Sequence, residues 1–299
     1  MARLRIDRAG PLVSLQDPGR FGMLSHGISA SGPMDIKCFV RAGWWAGASD
    51  ESGVEFTMAG LDLTVLDGET FAGWDGGSFT IRLNGVRLDW PGQARLVAGD
   101  RLTISAGPDG NYGHLRFGGR LEVKPVLGSI ATSTRARLGG LSGKTLAAGD
   151  ELVLEGEGGE PQAPEPIAVD ERAIRFVWGL HAEMFSLDVR QAFVAAEFRT
   201  TPTMDRMGVR LGDPGGVFAN EKILSLVSDP VVPGDIQILG DGTPIVLMRD
   251  HQPTGGYPRI GTVISADLSR FAQIRPNRAV SFTPVSLAHA HRILRSQLP

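Results

Sequence analysis

Forty glycines and nineteen prolines are spread through a chain of 299 residues, so turn signals recur too often for long helices. Between them lie short apolar or alternating runs, the pattern of strands joined by tight turns. Asn84-Gly85, between Thr80-Ile81-Arg82-Leu83 and Val86-Arg87-Leu88-Asp89-Trp90, predicts a two-residue hairpin. Asp67-Gly68, between Leu61–Leu66 and Glu69–Phe71, reads the same way, and Gly240-Asp241-Gly242 links Ile236–Ile238 to Pro244–Met248. A Gly-Asp step also recurs just before a strand, at Gly99-Asp100, Gly149-Asp150 and Gly234-Asp235, with Pro276-Asn277-Arg278 as a weaker version. Its presence in both halves points to two related β units. The expected fold class is therefore mainly β.

Helices are expected in three places. After Ser31-Gly32, Pro33 suits a first helical position, Ile36, Phe39, Val40 and Trp44 follow at helical spacing, and Gly47 ends the run. Ser186 caps a second helix with Asp188 in its first turn and Phe193 on its buried face, and Ser286 starts a carboxy-terminal one. The run Gly156 to Pro166 has no apolar periodicity and reads as an exposed linker. It predicts an amino-terminal β unit over 1–165 and a carboxy-terminal β unit over 166–299.

A formal net charge of −3 gives no reason to expect a nucleic-acid or membrane-surface partner. The lone Cys38 excludes an internal disulfide and a cysteine-rich zinc site, and the six histidines lack metal-ligand spacing, so no metal is expected. Met1 to Asp7 lacks the apolar core of a signal peptide and no apolar run reaches spanning length, so a cytoplasmic chain is expected.

The densest functional signal is Asp250-His251-Gln252-Pro253-Thr254-Gly255-Gly256-Tyr257-Pro258-Arg259, set between two apolar strands. A plain connector needs only a turn, whereas this one carries a carboxylate, an imidazole, an amide and two hydroxyls. The glycine pair would admit a ligand or another backbone at close range. A ligand site and a rigid turn braced by Asp250 and Tyr257 both fit. A second cluster, Gln16-Asp17-Pro18-Gly19-Arg20, reads either as a pocket wall or as a buried Asp17–Arg20 pair holding a long loop. Asp205-Arg206 reads as a structural ion pair or as part of a site, and Arg210 could face the same side as the neighbouring pocket. No P-loop, dinucleotide fingerprint or nucleophile elbow is present.

Taken in order, Gln16-Asp17-Pro18-Gly19-Arg20, Ser31-Gly32-Pro33-Met34-Asp35, Leu127-Gly128-Ser129, Asp205-Arg206-Met207-Gly208, Pro233-Gly234-Asp235-Ile236-Gln237, Thr254-Gly255-Gly256-Tyr257-Pro258 and Ala266-Asp267-Leu268 resemble the biotin-dependent carboxyltransferase family. That family includes the C-type component of prokaryotic ATP-dependent 5-oxoprolinase, the protein called allophanate hydrolase subunit 2, KipA, and part of urea carboxylase. The resemblance implies two cyclophilin-like β-barrel units with a few short helices. It also implies a B-type (KipI-like) partner and, in the oxoprolinase case, an A-type (LamB/YcsF-like) subunit. The implied substrate is a small amide or lactam, opened with ATP as co-substrate. By motif match Asp250 would orient or deprotonate substrate. Gln16, Asp17, Arg20, Arg206, Thr254, Gly255, Gly256 and Tyr257 would bind it. No Ala-Met-Lys-Met biotinylation motif is present, so any biotin would arrive on another protein.

The chain departs from the family pattern at Gly43, where relatives carry an asparagine that the urea-carboxylating members use for substrate. Gly73-Trp74-Asp75, Gly110–Leu115 and Pro253 depart too. Two classes of function follow: an enzyme subunit of the 5-oxoprolinase type, or a KipA-like regulatory binder. Carboxyl transfer from carrier-borne biotin is a third.

Overall fold

The computed structural model describes residues 1–166, 173–221 and 226–296. Its contacts divide the chain into two compact units, Met1–Phe21 with Ser31–Ile167, and Gly22–Ala30 with Ala168–Pro299. Both are built on β-sheets, and among the described residues no helix is long and apolar enough to cross a membrane.

The first unit is organised by two long antiparallel strands, Leu61–Leu83 and Arg101–Phe117. Leu61 and Ile81 both pair with Ile104, and Leu63 and Leu83 both pair with Leu102. The longer strand therefore curls until its two ends flank the same partner, which bends the nine-stranded sheet into a half-barrel. The inward faces supply a core that includes Phe56, Trp74, Ile81, Leu102, Leu115 and Phe117, all 1% exposed or less. Asn84 and Gly85 both take positive φ, and Leu83 pairs with Val86 across them, as a two-residue hairpin requires. Asp67-Gly68 is not a hairpin. Strand Leu61–Leu83 runs straight through it, Gly68 pairs with Ala2, and a register shift next to it absorbs the positive φ of Gly68. Such a bulge uses the same residues as a turn, so local sequence does not separate the two.

The eight-stranded sheet of the second unit begins with Ala279–Val280 and ends with Phe282–Pro284. One residue, Ser281, carries the chain from one edge to the other, so the edges are neighbours and the sheet is a nearly closed barrel. Phe176, Phe193, Phe198, Phe218 and Phe282 pack as an aromatic cluster with centroid separations of 5.3 to 6.3 Å. Phe193 comes from helix Leu187–Ala195, which Ser186 caps by accepting from Val189 N–H. The hairpin Ile236–Ile238 to Pro244 forms across Gly240-Asp241-Gly242, as expected.

The recurrent Gly-Asp step has one geometry in both units. Gly99, Gly149 and Gly234 sit at φ +91°, +96° and +96°. The aspartate after each accepts from the N–H three residues back: Val97 to Asp100 at 2.8 Å, Ala147 to Asp150 at 2.8 Å, and Val232 to Asp235 at 3.0 Å. Glycine makes the backbone of this turn accessible and the carboxylate satisfies its open N–H. In the fourth copy Asn277 takes the positive φ, +65°.

The first helix is Ile36–Ala46, capped by Asp35 and closed by Gly47 at φ +59°. It starts later than the Pro33 signal suggests, because Asp35 accepts from Cys38 N–H and so fixes the first turn. Its buried face carries Phe39, Ala42, Gly43 and Ala46, whereas Val40 and Trp44 face outward. An unpredicted helix, Ser265–Ala272, is pinned by Asp267, which accepts from Arg175 N–H and Nε, each at 2.9 Å, and from Arg270 at 3.1 Å.

Burial acts to raise the Asp267 carboxyl, and the Arg175 hydrogen bonds with the two arginine charges outweigh it, so it lies below the usual 3.8. Its contribution to stability is full above that unfolded-state value and is lost as pH falls through the lower folded value. Asp267→Asn is expected to cost about 3 kcal/mol at pH 7, as removal of one partner from a buried ion pair does. Chemical denaturation at pH 7 and at pH 2 to 3 checks this, with the gap between wild type and variant narrowing at acid pH.

Candidate functional site

In the second unit, the face of the sheet opposite the aromatic cluster carries a cross-strand row of Arg210, Ile245 and Gln237. Directly paired residues share a face. Their neighbours Val209, Val246 and Ile236 point the other way and are 1% exposed or less. The segment following Leu247 folds back along this face. Val231 N–H donates to Pro253 O, Leu226 N–H to Gly256 O and Ile238 N–H to Pro258 O. Thr254–Gly255 pairs with Asp229–Pro230 as a small two-stranded sheet. Between segment and sheet lies a cavity of about 280 Å³, with Thr203, Asp205, Arg210, Gln237, Gln252 and Tyr257 as its polar wall and Ile245 and Leu247 among its apolar lining.

Asp250 anchors the start of the segment. Its two carboxylate oxygens accept from Arg206 Nε and Nη2 at 2.8 and 3.1 Å, and its N–H donates to Arg206 O at 2.7 Å. Both side chains are about 95% buried. A bidentate, desolvated pair of this kind fixes geometry strongly. Arg206 stands at the tip of a turn closed by Asp205, which accepts from Met207 and Gly208 N–H. The Asp-Arg pair expected between neighbours in sequence is thus a pair across the fold.

Gly255 and Gly256 are required by close approach. A Cβ on Gly255 would lie 2.4 Å from Gln237 Nε2, and one on Gly256 would lie 2.9 Å from Leu226 O. Gln237 is 1% exposed, its Oε1 accepts from Gln252 Nε2 at 3.3 Å, and its own Nε2 has no hydrogen-bond partner among the described residues.

In the first unit, Gln16, Asp17 and Arg20 join two loops. Gln16 Oε1 accepts from Gly32 N–H at 3.1 Å, and its Nε2 donates to Ser14 Oγ at 2.9 Å. Asp17 accepts from Gly19 N–H, Ser129 Oγ and Ile130 N–H at 2.9, 2.5 and 2.7 Å. Arg20, 1% exposed, donates to the carbonyl of Ala131. Asp17 also lines a groove of about 790 Å³ whose charged wall includes Asp50, Glu51, Arg120, Glu122 and Lys124. Among the described residues no group of three or more metal-ligating side chains comes together.

This combination of bent half-barrel and nearly closed barrel is found in proteins of known family. Residues 26–284 match the family model for the carboxyltransferase domain, subdomains A and B. The chain belongs to this family. Over 300 residues it is 32% identical to the C-type component of 5-oxoprolinase from Escherichia coli, covering 98% of this chain and 95% of that protein. It is also 32% identical over 293 residues to the corresponding 5-oxoprolinase component of Haemophilus influenzae, covering 95% of this chain and 91% of that one. The K. lactis urea amidolyase structure superposes on 99% of this chain with a TM-score of 0.90 at 26% identity, although this chain spans only 19% of that larger protein.

The carboxyltransferase-family motifs fall in two groups. Gln16, Asp17 and Arg20 belong to the first unit, and Arg206, Asp250, Thr254, Gly255, Gly256 and Tyr257 to the second. Of the second group, only Tyr257 lines the 280 Å³ cavity directly. Arg206 and Asp250 hold the segment in place, Gly255 makes room for Gln237, and Thr254 is exposed. Gln237, Gln252 and Arg210 line the cavity without belonging to the expected set of binding residues. For Gln237 the alternation along Ile236-Gln237-Ile238 is a usable signal, since a polar residue between two apolar ones in a strand faces away from the core.

The Gly43 departure also has a structural reason. A Cβ there would lie 2.2 Å from Arg116 Nη1. Arg116 is buried, donates to Ser52 O at 3.1 Å and to Asp50 O, and stacks on Phe39 with its guanidinium 4.8 Å from the ring centroid. Burial lowers its pKa, yet arginine keeps its proton in proteins. The guanidinium takes the room an asparagine would need. Elsewhere in this unit, burial pushes the Asp75 carboxyl up, with Gly76 N–H and Arg41 acting in the opposite sense.

Gly255→Ala is expected to push Gln237 or the 250–257 segment out of place and to lower stability by about 1–3 kcal/mol. Gly215→Ala, where a Cβ would meet nothing nearer than 3.9 Å, should stay within about 0.5 kcal/mol of wild type. Thermal melts of the two variants test the contrast.

Proposed function

We propose that this chain is the C-type subunit of an ATP-dependent 5-oxoprolinase-type complex, which opens a small lactam or amide with a B-type (KipI-like) and an A-type (LamB/YcsF-like) subunit. The observation that carries this reading is the 32% identity to the C-type 5-oxoprolinase component of E. coli, which extends over 98% of this chain and 95% of that one. The cavity in the second unit supports it. At about 280 Å³ it suits a single small ring, and it combines an apolar floor at Ile245 and Leu247 with the carboxamides of Gln237 and Gln252 on its wall and the Tyr257 phenol at its rim.

In this reading the ring-opening chemistry needs the lactam carbonyl activated, by transfer of a phosphoryl group from ATP to its oxygen, before water attacks. The contribution of this chain is to hold the ring in one orientation and to exclude water around it. Asp250 acts as a positioning residue through Arg206, because both its oxygens already face that guanidinium and it does not line the cavity. Tyr257, 38% exposed at the rim, is placed to touch the ligand. ATP enters as a co-substrate of the complex. Gln16, Asp17 and Arg20 set the loop that forms one edge of the larger groove in the first unit.

A second reading, carboxyl transfer from biotin carried on another protein, is favoured by the likeness to K. lactis urea amidolyase. Gly43 weighs against urea as its acceptor, since Arg116 fills the space where a urea-binding side chain would stand.

The test is ATP hydrolysis by the chain co-purified with its B-type and A-type partners, with and without 5-oxoproline. The expected result is hydrolysis that depends on 5-oxoproline and falls about tenfold or more in Tyr257→Ala, with the complex intact. A stable complex without lactam-dependent turnover would overturn the enzyme reading and favour a KipA-like regulatory binder. Carboxylation of an acceptor by a biotinylated carrier would favour the second reading.

A further inference from the structure

Resting on the lactam-opening reading above, we propose that Gln237 and Arg210 form a two-point recognition site for a lactam that carries a carboxylate, with Gln237 taking the amide edge and Arg210 the acid. Gln237 is a buried carboxamide with an open donor. It is 1% exposed, its Nε2 has no hydrogen-bond partner among the described residues, and it lies at the cavity wall beneath Gly255. Leaving such a group unpaired costs free energy, so its persistence points to a partner that arrives from outside.

The chemistry of that partner follows from the carboxamide itself. Gln237 offers an N–H donor and a carbonyl acceptor side by side, and its Oε1 receives only a long 3.3 Å bond from Gln252, which leaves a lone pair available. A ring amide is held cis, so its N–H and C=O lie on one edge and complement that pair with two hydrogen bonds. An acyclic secondary amide is trans and presents them on opposite edges. The site therefore selects lactams over linear secondary amides.

Arg210 supplies the second point. It shares the cross-strand row with Gln237, one on each side of Ile245. Their Cα atoms are about two strand spacings apart, roughly 10 Å, and both side chains reach into the intervening space. Arg210 lines the cavity and is exposed, so its fork is accessible to a carboxylate. Arg206, the arginine expected from the motif, is committed to Asp250. A small ring lying on Ile245 would place an amide edge against Gln237 and a carboxylate toward Arg210. Urea offers an amide edge but no acid.

Calorimetric titration of the full chain with 5-oxoproline, 2-pyrrolidinone and proline tests the assignment. 2-Pyrrolidinone has the lactam without the acid, and proline the acid without the lactam. The wild type should bind 5-oxoproline most tightly. Arg210→Gln should weaken 5-oxoproline about tenfold or more while leaving 2-pyrrolidinone unchanged. Gln237→Met, close in volume, should weaken both lactams about tenfold and leave proline unchanged. Arg210 is at the surface, so its variant keeps the test valid if Gln237→Met fails to fold. Binding of 5-oxoproline with the same affinity in every folded variant, or no binding to the wild type, overturns the assignment. Because these are binding constants, they stand apart from turnover. Lactam-dependent ATP hydrolysis with unaltered variant affinities would remove only this assignment. The predicted pattern of affinities without turnover would remove only the enzyme reading.

Discussion

The buried pair between Arg206 and Asp250 is the interaction on which the candidate site depends. Two charges with side chains about 95% buried are costly to desolvate, and two parallel hydrogen bonds at 2.8 and 3.1 Å offset that cost only in one geometry. That geometry joins the turn Asp205–Gly208 to the first residue of the segment that covers the sheet. Once Asp250 is placed, the hydrogen bonds at Pro253, Gly256 and Pro258 follow along the same backbone, and Gly255 arrives above Gln237. Loss of either charge would leave the other buried without its partner, so this pair is better suited to defining a shape than to exchanging protons.

Much of the fold was legible because it rests on short-range chemistry. The three Gly-Asp turns could be read directly, since a positive φ and a carboxylate three residues from an open N–H are both properties of adjacent residues. The Asn84-Gly85 hairpin and the serine caps at 186 and 286 are local for the same reason. Where local sequence misled, the deciding contact was distant. Asp67-Gly68 became a bulge because Met1–Ala2 runs beside it. Helix Ser265–Ala272 is short and takes its anchor from Arg175, some ninety residues earlier. In helix Ile36–Ala46 the large apolar residues misled. Small ones face the sheet, where a Cβ on Gly73 would already lie 2.4 Å from Ala42 O.

The site was legible as a place and less so as a set of residues. The concentration of polar groups over 250–259 pointed to the right segment, and the glycine pair pointed to close approach. Which polar groups face inward depends on the register among three strands and on the segment folded over them, and no local pattern encodes that. Arg206 and Arg210 are four residues apart and chemically identical. The first sits in a turn and folds under it, whereas the second sits on a strand whose alternate residues line the cavity.

A division of labour among the polar residues follows. Asp17, Asp250 and Asp267 all stand in family motifs, and each accepts two or more hydrogen bonds from its own unit. They are the residues whose charge the fold itself requires. Facing the cavity instead are the carboxamides of Gln237 and Gln252, the Tyr257 phenol, Thr203, and the surface pair of charges Arg210 and Asp205. A carboxamide with open hydrogen-bonding capacity recognises a neutral amide at a lower desolvation cost than a buried carboxylate would.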